Sequence, residues 1–154
     1  MARYAPVVPV LAGALLLIVA EFLTVREIRA VTVVPPGGTE TGGGLHGYAL
    51  GIVALAMLPM AYGAVMRGAR PAAVALIVLA VLACAIVVFV DRPVLDDTGL
   101  IGRTYDLAEA RPATGFYVES LGAVLALVGS VATFALLGRG TRWVTPRERV
   151  RTTS

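Results

Sequence analysis

The sequence predicts an all-α integral membrane protein, built as a bundle of four transmembrane helices with two longer loops on the outer side. Of its 154 residues, 58% are hydrophobic and only 15% are charged, and the mean hydropathy is +0.84. Four apolar runs are long enough to cross about 30 Å of hydrocarbon at about 1.5 Å per helical residue. The arginines are distributed unequally between the two sides of these runs. This composition excludes an ordinary soluble domain.

The four apolar runs define a predicted transmembrane domain over residues 1–138. We expect helices over four stretches, at about 5–25, 45–66, 72–90 and 115–137. The first run is longer than the roughly 7–15 apolar residues of a secretory signal, and no clear small-x-small cleavage site follows it. We therefore expect it to remain as a helix. Residues 139–154 form a separate basic tail.

The positions of the arginines predict the orientation. All 13 basic residues are arginine. Eight of them lie on the side that carries both termini and the 67–70 turn, where Glu148 is the single acid, whereas the other side carries five arginines and nine acids. Cytoplasmic segments of membrane proteins are enriched in positive residues. Both termini are therefore expected in the cytoplasm, with the protein in the plasma (inner) membrane.

The two outer loops differ in their local signals. In the first, which covers residues 26–44, the alternating branched residues of IRAVTVV are typical of a short strand, and a Pro-Pro-Gly-Gly turn follows. In the second, which covers residues 91–114, Thr104 is a candidate cap for a helical turn over TYDLAEA that Pro112 would stop. The sequence thus predicts a small β element in the first loop and a helical turn in the second.

The tail combines arginines with one tryptophan directly after the last helix. Such a segment suits an anionic membrane surface, where each arginine contributes about 1 kcal/mol and tryptophan lies at headgroup level. Lipid headgroups are therefore the expected partner, and a nucleic-acid partner is not expected. The lipid-facing residues are Arg139, Arg142, Trp143, Arg147, Arg149 and Arg151.

Small residues recur on one face of the last predicted helix. The stripe consists of Gly115, Glu119, Gly122, Ala126, Gly129, Ser130 and Thr133. Small residues allow helix backbones to approach closely in lipid, where packing rather than hydrophobicity drives association. The second predicted helix offers a matching surface through its GYALG segment. We therefore predict helix packing at Gly47, Gly51, Gly115, Gly122, Ala126 and Ser130.

Each predicted helix brings one ionisable residue towards the outer surface. These candidate residues of an outer polar site are Glu21, His46, Asp91 and Glu119. One interpretation is a cation or proton site, because carboxylates in a membrane usually face a partner or water. The other is that these groups reach headgroup water or pair with Arg26, Arg29 or Arg92. The four residues could hold a metal, but nothing in their spacing requires one, and no metal or cofactor is expected.

Enzymatic motifs are missing from the sequence. It contains one histidine, one cysteine, no H-E-x-x-H, no G-x-S-x-G and no phosphate-binding loop. The four-pass plan is superficially similar to that of claudin-type proteins, but the first outer loop has neither a tryptophan nor a cysteine pair. We expect a non-enzymatic scaffold or accessory subunit within a homo-oligomer or a larger membrane complex. The alternative is a channel for cations or small solutes with an acidic outer mouth.

Overall fold

The computed structural model describes residues 5–30, 35–104 and 107–140, and for residues 139 and 140 it describes the backbone only. The fold is mostly helical. Its long helices are α1 (Val7–Ala20), α3 (Ala49–Arg67), α4 (Arg70–Ile86) and α7 (Thr114–Gly140). The short helices are α2 (Gly42–His46), α5 (Arg92–Val94) and α6 (Gly99–Thr104). The strands are β1 (Thr24–Ala30), β2 (Thr39–Thr41) and β3 (Ala108–Pro112).

Three helical segments are long and apolar enough to cross a membrane. They cover Ala49–Arg67, Arg70–Thr104 and Thr114–Gly138. The prediction of membrane-spanning helices is confirmed to that extent. The first helix is shorter than predicted, since α1 has 14 residues and ends at Ala20 instead of near residue 25. The chain turns at Phe22 and Leu23 and then enters β1, so the last two residues of the run, Thr24 and Val25, belong to a strand.

The four long helices pack side by side. Helix α1 contacts α3 and α7, and α4 contacts the same two helices. All seven positions of the predicted small-residue stripe on α7 are buried. Their main partner is α1 and not the second predicted helix, contrary to the expectation from the GYALG segment. Of the two glycines in that segment, only Gly51 lies in α3, because Gly47 is the C-cap of α2 and adopts the left-handed conformation, with φ 61°.

The contact between α1 and α7 has almost no space for side chains. A β-carbon at Gly13 would lie 2.6 Å from both the Gly122 oxygen and the Ala126 nitrogen. A β-carbon at Gly122 would lie 3.0 Å from the Gly13 oxygen. The two backbones therefore touch directly, which is the arrangement that small residues permit in lipid.

A three-stranded antiparallel sheet joins the two loops that were predicted on the outer side. The order is β2-β1-β3, with Thr24 opposite Thr41 on one side and Arg29 opposite Glu109 on the other. The predicted helical turn over TYDLAEA is wrong, because Ala108–Pro112 is a strand and helix α6 ends before it at Thr104. Pairing with β1 provides hydrogen bonds that local propensity cannot reveal. Strand β1 also begins earlier than the predicted IRAVTVV segment, of which residues 31–34 lie outside the described residues.

Candidate functional site

Four ionisable side chains converge at one end of the bundle, next to the sheet. Glu21 follows α1, His46 is the last residue of α2, Asp91 ends the helical turn after α4, and Glu119 lies in the second turn of α7. Their side chains are between 0% and 5% exposed. We call these residues the acidic cluster. The residues are those predicted for the outer polar site, but they form a closed cluster and not an open mouth.

Glu21 connects the end of α1 to the beginning of α3. Its Oε1 atom accepts a hydrogen bond of 2.7 Å from the backbone N–H of Gly51. Gly51 lies in the first turn of α3, where backbone N–H groups have no acceptor within their own helix. Tyr48, at the start of α3, provides no side-chain cap. Glu21 therefore caps α3 from a distant part of the chain, and its negative charge faces the positive end of the helix dipole.

His46 lies between two of the carboxylates. Its Nδ1 atom is 3.7 Å from Oε2 of Glu21, and its Nε2 atom is 3.7 Å from Oδ1 of Asp91. Helix α2 fixes this position, since the N–H groups of Gly42 and Gly43 donate to the carbonyls of Leu23 and Glu21. The imidazole thus directs one nitrogen to the end of α1 and the other to the turn after α4.

Asp91 is placed by a π-helical turn. Residues Val87–Asp91 form this turn, and the N–H of Arg92 donates to the carbonyl of Val87, five residues back. Pro93 has no N–H to give to Phe89, which favours a change of hydrogen-bond pattern here. Asp91 nevertheless continues the buried face of α4, which is formed by Ala73, Leu76, Ala80, Ala83 and Val87. The carboxylate therefore points into the bundle.

Glu119 completes the acidic cluster from α7. One ligand atom from each of His46, Asp91 and Glu119 lies within 4.8 Å of the other two. Above it, Gly115 brings the sheet onto the helix, because a β-carbon there would lie 2.7 Å from the Thr24 oxygen. The N–H of Ala113 also donates to the carbonyl of Val25. The sheet and the start of α7 together close this end of the bundle around Glu119.

The acidic cluster has many polar atoms and few hydrogen bonds. Seven of its buried side-chain atoms have no hydrogen-bond partner within the described part of the chain. They are Oε2 of Glu21, both nitrogens of His46, and both carboxylate oxygens of Asp91 and of Glu119. Buried polar groups are normally paired, and each unpaired group calls for an explanation. A cation or protons held by the carboxylates would supply one.

Three arginines near this end of the bundle form ion pairs with acids outside the acidic cluster. Arg26 pairs with Glu40 and donates to the carbonyls of Val94 and Asp97. Arg29 pairs with Glu27. Arg111 pairs with Glu109, and this hydrogen bond raises the pKa of the exposed guanidinium. Among the described residues, the acidic cluster has only its internal contacts with His46 as ion pairs, so the predicted pairing with Arg26, Arg29 or Arg92 is not formed.

The remaining predicted site residues fall into three groups. Gly51, Gly115, Gly122, Ala126 and Ser130 lie at contacts inside the bundle. Gly47 does not, because a β-carbon there would meet no atom within 4 Å, so its role is to permit the turn after α2. Of the tail, the side chain of Arg139 and all of Arg142, Trp143, Arg147, Arg149 and Arg151 lie outside the described residues.

Two features of the site were not predicted from the sequence. The first is the contact of Gly13 with α7. Gly13 is the only glycine of the first apolar run, and that was the signal in the sequence that could have pointed to a close helix contact. The second is the cap that Glu21 provides to Gly51, for which the sequence carries no local signal because the residues are 30 positions apart.

The arrangement can chemically hold a cation or exchange protons, since it brings three carboxylates and one imidazole together away from basic side chains. Comparisons with known protein families, curated proteins and solved structures found no match to this chain.

Proposed function

We propose that α1, α3, α4 and α7 all cross the membrane and that the protein works as a non-enzymatic scaffold or accessory subunit. The outward faces of the helices support this arrangement. On α1, the exposed side chains are apolar, with Val8 at 63%, Leu15 at 62% and Val19 at 42% exposure. Helix α1 is about 21 Å long at the usual rise, but it lies against α7, which is long enough to cross the bilayer. The four helices thus form one membrane domain.

The distribution of arginines supports the orientation. In this proposal the short turn between Arg67 and Arg70 lies in the cytoplasm with both termini, and the sheet lies outside. Tyr48 and Tyr117 at the sheet end and Tyr62 near the other end are all more than half exposed. Exposed aromatic side chains at both ends fit the two membrane interfaces.

The observation that carries the scaffold proposal is the sheet. It joins both outer loops into one unit, and Arg26 extends that unit by binding the carbonyls of Val94 and Asp97. The sheet is seated directly on the helices through Gly115. A firmly held outer platform with charged, exposed residues such as Arg29, Glu109 and Arg111 is suited to contact another protein.

The interior supports a scaffold better than a conduit. Below the acidic cluster, the largest fully buried side chains of the described core are apolar, as in Leu17, Leu50, Met57 and Leu76. The buried hydroxyls of Ser130 and Thr133 donate to carbonyls of their own helix, at Ala126 and Gly129. These hydroxyls are therefore not free to replace the water around a moving solute.

The test is the native mass of the protein extracted gently from its own membrane, with the co-purifying chains identified. We expect a homo-oligomer or an assembly with other subunits. The double variant Arg29→Gln/Arg111→Gln should release the bound partner with little change in thermal stability, because both side chains are more than half exposed. The matched control is Arg67→Gln, at the exposed end of α3, which should keep the assembly intact.

The conduit is the second candidate, and the acidic cluster is the observation in its favour. A monomeric protein that conducts cations in proteoliposomes, and loses this flux in Glu119→Gln, would replace the scaffold with the conduit. Partner binding without flux would support the scaffold.

A further inference from the structure

The acidic cluster has the donors, spacing and burial of a metal centre. We infer that His46, Asp91 and Glu119 bind a divalent first-row transition metal ion, with Glu21 holding the imidazole in position. This inference does not depend on the scaffold proposal, since a metal could stabilise the outer end of the bundle whatever the protein's partners are.

The distances favour shared coordination over hydrogen bonding. Nε2 of His46 and Oδ1 of Asp91 are 3.7 Å apart, beyond hydrogen-bond length. Two ligands about 2.0–2.1 Å from one tetrahedral ion are about 3.3 Å apart, so a small inward movement would bring both onto the same ion. Glu119 joins them within 4.8 Å. The three donors come from α2, the π turn and α7, and so surround a common point from separate elements.

The charges also call for a cation. With both ligand carboxylates ionised and the imidazole neutral, the three proposed ligands carry two negative charges, which a divalent ion balances. Asp91 and Glu119 are both 0% exposed, and no described arginine forms an ion pair with either. An isolated buried carboxylate is strongly unfavourable unless it is paired, protonated or bound to a metal.

Glu21 has the place of a supporting residue. Oε2 of Glu21 lies 3.7 Å from Nδ1 of His46, so a small movement of the ring would let it donate its Nδ1 proton to the carboxylate and present Nε2 to the metal. The other oxygen of Glu21 is held by the N–H of Gly51. A histidine ligand commonly has such a carboxylate partner, which fixes the tautomer and the ring orientation.

The donor set indicates the class of metal. One imidazole nitrogen with carboxylate oxygens suits zinc, iron or manganese, whereas magnesium and calcium prefer oxygen donors alone. Cys84 is the only cysteine of the sequence and does not belong to this group of donors, so a thiolate site is not formed here. Zinc is the appropriate first probe, because it is redox-inactive and accepts both donor types.

The experiment uses the full chain purified in detergent without a histidine tag. After treatment with a chelator and its removal, zinc is titrated while bound metal and the thermal unfolding midpoint are measured. We expect one zinc per chain and an increase of several degrees in the midpoint, since a ligand that binds only the folded state stabilises it. Magnesium at the same concentration should change the midpoint little.

His46 is the only histidine of the protein, which makes the site testable by spectroscopy. X-ray absorption of the zinc-loaded protein should show scattering from a single imidazole, and His46→Gln should abolish both that signal and tight binding. Glu119→Gln, which keeps the size of the side chain, should also lose the metal. Glu21→Gln should retain one zinc per chain with affinity reduced by about 10- to 100-fold.

The matched control is Glu109→Gln, which removes an exposed carboxylate of β3 and should bind zinc like the unaltered chain. Failure of the unaltered chain to bind one zinc or to gain thermal stability would overturn the inference. So would equal binding by His46→Gln. Because zinc binding and the unfolding midpoint are measured first on the unaltered chain, a variant that misfolds does not obscure the result.

Discussion

Glu21 and His46 connect three separate helices through one side-chain contact. Oε2 of Glu21 lies 3.7 Å from Nδ1 of His46, while the other carboxylate oxygen accepts the N–H of Gly51 at the start of α3. His46 in turn ends α2 and faces Asp91. The same carboxylate therefore caps a helix with one oxygen and lies beside an imidazole with the other.

Two substitutions of Glu21 should separate its hydrogen bond to the start of α3 from the effect of its carboxylate charge. Glu21→Gln keeps an oxygen that can accept from Gly51, whereas Glu21→Ala leaves that N–H without its acceptor. We expect Glu21→Ala to be less stable than Glu21→Gln by about 1–3 kcal/mol, the usual cost of a buried unsatisfied donor. Chelator-treated protein unfolded thermally in detergent would show the difference without a contribution from metal. Equal stability of the two variants would show that the cap contributes nothing.

Substitution of Gly13 by alanine should destabilise the contact between α1 and α7. In Gly13→Ala the new carbon would lie 2.6 Å from backbone atoms of Gly122 and Ala126, which cannot rotate away. We expect α1 and α7 to separate slightly, with a loss of about 1–3 kcal/mol in stability, as for other overpacked interiors. Thermal unfolding in detergent measures it.

The matched control for this substitution is Gly138→Ala on α7, where a β-carbon would meet no atom within 4 Å. It should unfold at the same temperature as the unaltered protein. If Gly13→Ala did so too, the close approach of α1 and α7 would be incorrect.

Arg26 should hold the loop that follows α5 against the sheet. It lies on β1 and donates to carbonyls of Val94 and Asp97, so Arg26→Gln should release residues 95–98 and increase their hydrogen exchange several-fold. Arg111→Gln removes an exposed pair with Glu109 two residues away and should leave exchange in that segment unchanged. Unaltered exchange in Arg26→Gln would mean that the loop is held by other contacts.

Cysteines placed opposite each other should link strands β1 and β3. Arg29 and Glu109 are paired across β1 and β3, and both are exposed. In a Cys84→Ala background, Arg29→Cys/Glu109→Cys should form a disulfide on mild oxidation, because directly opposed residues are within its reach. Electrophoresis without reductant, after proteolysis between the loops, detects the link.

The register control for the cysteine pair is Arg29→Cys/Arg111→Cys. Arg111 lies opposite Glu27, two residues out of register with Arg29, so its disulfide should form much more slowly. Equal rates for the two pairs would contradict the alignment of β1 with β3.

Several parts of the fold and site could be predicted because their signals, apolar runs and the spacing of residues along one helix, lie within short stretches of sequence. The apolar runs predicted four membrane-spanning helices, and three of the described helical segments are long and apolar enough to cross a membrane. The small-residue stripe on α7 predicted a face that is buried at every position. Asp91 could also have been assigned to the interior, since it continues the spacing of buried residues along α4. Periodicity shows which face of a helix is buried, but it does not show which helix covers that face.

The sequence by itself determined the helical, membrane-spanning character of the chain, because hydrocarbon requires long apolar runs with internally paired backbones. Tertiary structure decided three further relationships. It placed α7 against α1 instead of α3, paired β1 with a strand about 80 residues away, and closed His46, Asp91, Glu119 and Glu21 into one buried cluster. Each depends on contacts between distant segments, whose energies arise from close packing and pairing that no short stretch of sequence contains.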